Sequence, residues 1–211
     1  MSSKSLILAG SLSLASMGAQ AATVTPTSYD TVNGNTGTYT YWDDTYNGTG
    51  STTTSGSALS GGTGDLTDGV IATGNWFAPG ETGKYVGWLN TDPTITFNFA
   101  QAYDFTAVTF HFDDSNGSGG VSQPSLVNVN GSGFTIPTNP GSAPFSFTVD
   151  LTGTKTDTLT TQLFRSNSWV FLSEVTFEAD AVSAVPLPAA GGMLLVGLVG
   201  FGALRGRQAK G

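Results

Sequence analysis

The sequence predicts an all-β domain, a β-sandwich or jelly roll, and three observations carry that prediction. Apolar and polar residues alternate over short runs, as in Ile95, Phe97 and Phe99 against Thr94, Thr96 and Asn98, the period of a half-buried strand. Turn chemistry recurs between such runs: glycine supplies 29 of 211 residues, and Asn-Gly pairs stand at Asn33-Gly34, Asn47-Gly48 and Asn130-Gly131. No stretch of the central chain shows a helical period.

The elements follow in order. Thr23 to Tyr46 mixes strand formers with turns, and Tyr39, Tyr41 and the stretch to Trp42 read as a strand. Gly48 to Gly64 is rich in Gly, Ser and Thr, with Ala58 and Leu59 as its only apolar content, and reads as a long surface loop. Tyr85-Val86-Gly87-Trp88 leads to the alternating run that Pro93 opens. Val108, Phe110 and Phe112 form the next strand, with Thr109 and His111 on its other face, and Asp113 to Gly120 form a polar loop. Leu126 to Val129 and Phe134 to Ile136 flank Asn130-Gly131 as a hairpin. Phe145 to Leu151, Leu159 to Leu163, Trp169 to Leu172 and Val175 to Phe177 complete about eight short strands.

The two ends differ from this. Lys4, the apolar residues from Leu6 to Leu14 and Ala19-Gln20-Ala21 have the order of a secretory signal peptide, residues 1–21. The β domain occupies 22–180, and its pattern is clearest over 65–179. Residues 181–188 are a linker ending in a Pro-bracketed motif of Val185, Pro186, Leu187, Pro188 and Ala189. The uncharged run 189–204 would be about 24 Å long as a helix, short against a hydrocarbon core of about 30 Å, and counting from Pro186 brings it close to the lower limit for spanning. Arg205 and Arg207 then act as the anchor stop within a basic tail, 205–211, which the positive-inside preference holds in the cytoplasm.

Between those ends only Lys84, Lys155 and Arg165 are basic, against all fifteen acidic residues, a formal charge of −12. Such a surface repels nucleic acid and anionic lipid. It suits an exterior rich in hard cations, although solubility alone explains it equally. The absence of cysteine excludes thiol catalysis, thiolate zinc sites and iron–sulfur clusters. His111, the only histidine, has no legible catalytic partners. Glu81, Asp92 and Asp104 cannot be paired into a glycosidase dyad by spacing. No catalytic residue is assigned. Trp42, Trp76, Trp88 and Trp169 could stack on sugar rings. Trp88 and Trp169 abut strand patterns and read as core, whereas Trp76 and Phe77, in a Gly-flanked stretch, are the candidates for an exposed platform.

Two family resemblances add to this reading. The Val185–Ala189 motif, apolar run and Arg-containing end resemble the PEP-CTERM sorting signal of Gram-negative bacteria, in its Val-Pro-Leu-Pro-Ala form, with Leu187 where the name-giving motif has Glu. That resemblance implies export through the Sec machinery and signal peptidase, transient anchoring in the inner membrane, and processing by the transpeptidase exosortase. The protein would then reach the cell surface or extracellular matrix. In the domain, Leu66-Thr67-Asp68-Gly69, Val86-Gly87-Trp88 with Ile95-Thr96-Phe97-Asn98-Phe99, Gly120-Val121 with Pro124, and Trp169 to Val175 resemble, in order, the motifs of the discoidin-like, galactose-binding-like jelly roll. The resemblance implies carbohydrate binding and a structural calcium held by Asp68 and Glu174, with Asp65 as a third candidate. The leading expectation is a non-catalytic surface or biofilm-matrix protein that binds exopolysaccharide. The alternatives are a purely structural or adhesive matrix component and a glycan-acting hydrolase.

Overall fold

The computed structural model describes residues 21–35 and 38–180, and these are all-β. Nine strands occur: β1 Ala21–Val24, β2 Ser28–Val32, β3 Ala58–Gly62, β4 Val86–Leu89, β5 Thr94–Phe112, β6 Leu126–Val129, β7 Ser132–Thr135, β8 Phe145–Phe164 and β9 Trp169–Asp180. Two single 3₁₀ turns, Thr82–Lys84 and Ser118–Gly120, are the only helical pieces among the described residues. Of the signal-peptide segment 1–21 all but Ala21, and the linker, the sorting motif, the apolar run and the basic tail, lie outside the described residues. Among those described, no helix is long and apolar enough to cross a membrane.

All pairings between these strands are antiparallel. The main path runs β1-β9-β5-β8-β6-β7, with β2 and then β3 beside β5, and β4 beside β9. The runs expected as separate strands at 95–99 and 108–112 are one strand, and so are those at 145–151 and 159–163, and at 169–172 and 175–177. The alternation in β5 breaks at the exposed Ala100, Gln101 and Ala102, where the register against β8 shifts between Asn98 and Tyr103. A second shift falls between Phe105 and Ala107. Such irregularities bend a strand. The first part of β5 therefore pairs with β2 and the end of β8, and its second part with β9 and the start of β8.

The bent sheet closes into a sandwich over one apolar cluster. Phe177 of β9 lies 4.9 Å from Phe97 and 5.1 Å from Phe99, ring centre to ring centre. Those two phenylalanines belong to the first part of β5, so Phe177 ties one layer to the other. Phe97, Phe105, Phe110, Leu159, Leu163 and Val127 are fully buried in the same cluster. Trp88 is also fully buried, and its indole N–H donates to the Val32 carbonyl at 2.8 Å. The hairpin turn adopts positive φ at Asn130 (49°) and Gly131 (87°), the backbone that Asn-Gly tolerates.

Two expectations need correction. Residues 48–64 are not one long loop, because β3 lies within them and pairs with β2. Leu59, 1% exposed, anchors that strand in the core. The Tyr46 hydroxyl holds its far end by accepting the Gly62 N–H at 2.8 Å. Nor is Tyr39 to Trp42 a strand. Its aromatic side chains are used in ring packing beside β4 and β9 instead.

Candidate functional site

A second, smaller apolar cluster lies apart from the main core and opens into a pocket of about 130 Å³. Tyr39, Tyr41, Trp76, Val121, Trp169 and Phe171 line it, together with Gly119. Four separate parts of the chain supply these residues, and each part is fixed by hydrogen bonds.

Asn33 fixes the tyrosines. It is fully buried, and its side-chain oxygen accepts the N–H groups of Gly34 and Asp43, both at 2.8 Å. Its amide donates to the Ser51 carbonyl at 3.0 Å. The Tyr41 carbonyl then accepts the Gly87 N–H of β4 at 2.9 Å. Gly87 is required there by close approach, since a Cβ on it would sit 1.9 Å from the Phe171 ring.

Asp113 fixes Trp76. The loop from Asp113 to Gly120 reads as a polar loop joining strands, and in the structure its Asp113, Asp114 and Ser115 are buried. The Asp113 carboxylate accepts the Trp76 backbone N–H and, at 2.6 Å, the Ser115 hydroxyl. Burial pushes the Asp113 carboxyl up, the two hydrogen bonds pull it back, and the neighbouring Asp114 charge adds to the upward push. On the other side of Trp76, Thr82 donates to its carbonyl at 2.9 Å, and the Tyr85 hydroxyl donates to Gly74 at 2.8 Å.

The rings form a continuous aromatic surface. Trp169 and Trp76 both lie nearly parallel to Phe171, at 5.3 and 6.0 Å with interplanar angles of 15° and 30°. Tyr41 meets Trp169, Phe171 and Trp76 edge-on at 4.7–5.8 Å. Tyr39 stands at the rim, 58% exposed. The indole Nε1 of Trp76 is buried beside the pocket without a hydrogen-bond partner, an uncommon state for a buried indole.

Of the two residues expected as a platform, Trp76 is half-buried and lines the pocket. Phe77 is 56% exposed and meets Trp76 edge-on at 5.4 Å. Trp169 is buried, as a core residue would be, but it also forms a pocket wall. Trp42 lies elsewhere and donates to the Ser55 hydroxyl at 3.2 Å. Sequence reasoning missed Tyr39, Tyr41 and Val121, whose separation along the chain gives no motif.

The three candidate metal residues divide. Asp68 and Glu174 line a second depression, of about 200 Å³, with Thr67, Gly69 and the end of β1. The Glu174 carboxylate accepts the Gly69 N–H at 3.0 Å, and Asp68 accepts the Val70 N–H at 2.8 Å. Glu174 is 3% exposed, and burial first, with the nearby Asp68 charge behind it, pushes its carboxyl up to about 7. The Thr67 hydroxyl is buried there without a partner. Lys84 and Arg165 are bound instead to Glu81 and Asp92, at 3.0 and 2.9 Å. Two carboxyls on one depression, an unpartnered hydroxyl and, among the described residues, no cation paired with either carboxyl are oxygen chemistry that fits a hard divalent cation.

Asp65 does not line that depression. One of its oxygens accepts the Thr45 hydroxyl and the other is buried without a partner. Its backbone N–H donates to Asp43 at 2.9 Å. Burial, reinforced by the Asp43, Asp44 and Asp68 charges, pushes it up to about 7. Among the described residues no group of three or more acidic or histidine side chains surrounds one point. His111 bridges strands, touching the Ser146 hydroxyl at 2.7 Å and that of Thr176 at 3.4 Å.

No family model matches the chain, and neither does any curated protein. Among solved structures it is similar to a fucolectin from striped bass (Morone saxatilis) serum, at 18% identity and a TM-score of 0.40, covering 56% of this chain and 41% of the lectin. It is similar to a fucose-binding module of Streptococcus pneumoniae at 14% identity and a TM-score of 0.40, covering 55% of this chain and 81% of the module. A truncated AlyQ with CBM32 and alginate lyase domains gives 14% identity and a TM-score of 0.44, covering 79% of this chain and 35% of that one. The chain spans less than half the length of the fucolectin and of the truncated AlyQ.

Proposed function

We propose that this chain is an exported, non-catalytic surface or matrix protein whose galactose-binding-like jelly roll binds carbohydrate through the aromatic pocket. The pocket carries the reading: an open, preformed surface of tyrosine and tryptophan rings, braced by buried Asn33 and Asp113, offers the apolar area on which sugar faces stack. A divalent cation, calcium by its preference for oxygen ligands, is held by Asp68 and Glu174, where it would offset the repulsion between them. Export and exosortase processing are supported by the residues of the two ends.

A glycan array probed with the protein, with and without calcium, tests the reading. The expected result is binding to at least one glycan class that Trp76→Ala weakens about ten-fold or more. No binding under either condition would leave a purely structural or adhesive role. A second expectation concerns the tail. In a host with exosortase, replacing Pro186 and Pro188 by Ala should make a longer, membrane-bound precursor accumulate. Normal maturation of that variant would remove the sorting assignment.

A further inference from the structure

We infer that the glycan this pocket takes carries protonated amino groups, a de-N-acetylated hexosamine polymer being the simplest such ligand. The inference rests on the carbohydrate reading above and narrows it. Among the described residues every side chain lining the pocket is aromatic or aliphatic, so none of them brings a carboxamide, carboxylate or basic group to exchange hydrogen bonds with several sugar hydroxyls at once. The Tyr39 and Tyr41 side chains bring phenol oxygens, which accept hydrogen bonds. The indole Nε1 of Trp76 is shut away from solvent. Such a lining recognises an apolar face or a cation, because aromatic faces attract positive charge.

The surrounding charge separates those two. The Asp113 carboxyl is buried directly behind Trp76, whose backbone N–H it accepts, and the buried Asp114 follows it in the chain. Lys84 is bound to Glu81 and Arg165 to Asp92, and Lys155 lies on β8, which contributes nothing to the pocket. With fifteen acids against three bases over the described residues, the domain carries a net negative charge, which repels uronates and sulfated sugars and draws in ammonium groups.

Calorimetric titration with glucosamine oligomers, N-acetylglucosamine oligomers of equal length, and uronate oligomers, near pH 6, tests this. The amine form should bind about ten-fold tighter than the acetylated form. Its affinity should fall several-fold as salt rises from about 50 to about 300 mM. Trp76→Ala should abolish that preference. Equal or tighter binding of the acetylated or uronate oligomers overturns the inference and leaves the carbohydrate reading standing. Amine binding that survives Trp76→Ala overturns it too, as attraction to the acidic surface at large. If no oligomer binds here and no glycan binds on the array, both readings fall.

Discussion

In the presence of a chelator, the melting temperature should fall as the pH rises from 5 to 8. Asp65 and Glu174 are buried, and each is pushed up to about 7 in the folded domain, against ordinary values of 3.8 and 4.5. A carboxyl raised in this way holds its proton in the folded state after the unfolded chain has released it. The folded state therefore binds more protons between about pH 4 and pH 7, and stability declines across that window. Asp43 and Asp113, raised mainly by burial, act with the same sign. Asp30, Glu81 and Asp150 are lowered and act in the opposite direction, from more exposed or better-bonded positions.

For Asp65 and Glu174 together the loss is on the order of 2–5 kcal/mol. In a domain of this size that corresponds to a fall of about 5–15 °C. Saturating calcium should remove the Glu174 share, since a bound cation favours the ionised form, and should leave the Asp65 share in place. Asp65→Asn should remove the Asp65 share. A melting temperature that stays level or rises from pH 5 to 8 in chelator, followed by scanning calorimetry, would contradict these buried carboxyls. A melt that calcium leaves unchanged at pH 8 would contradict the cation site.

Phe177→Ala should cost about 3–5 kcal/mol, the range for truncating a buried aromatic residue. The ring is 1% exposed and touches Phe97 and Phe99 from one layer, with Phe105 at 6.4 Å. The resulting cavity would lie between the layers, where neither can collapse without moving the bend in β5. Phe177→Leu should recover much of the loss. Phe77→Ala, at an exposed ring outside the core cluster, should change stability by less than about 0.5 kcal/mol. Urea unfolding of the three variants gives the comparison. A Phe177→Ala variant as stable as the parent would mean that the layers are not joined there.

The contrast between these two phenylalanines shows what the sequence could and could not reveal. Ile95, Phe97 and Phe99 alternate cleanly because one face of that strand is buried and the other is wet, so β5 was legible. β3 was not, because a single anchoring residue, Leu59, carries its burial among Gly and Ser. The continuity of β5, β8 and β9 was hidden for a related reason: bends expose residues such as Ala100 to Ala102 and interrupt the pattern while the backbone pairing continues on either side. At the pocket, Trp76 stood out as a large ring in a Gly-flanked stretch. Tyr39 and Tyr41 imitated a strand, since two aromatic residues one apart look the same whether they line a pleat or a pocket. Asp113 looked like loop polarity, and only its bond to the Trp76 backbone shows what it supports.

The twelve residues of β9 connect the two ends of the domain. Trp169, its first residue, is a wall of the pocket, while Asp180, its last, pairs with Ala21 at the start of β1. Between them lies about 36 Å of extended chain, held along its length by β4, β5 and β1 in turn. The strand therefore acts as a strut with the aromatic pocket at one end and its pairing with β1 at the other. The aromatic pocket therefore lies at the opposite end of this strand from the Ala21–Asp180 pair, so a change made at one end need not reach the other.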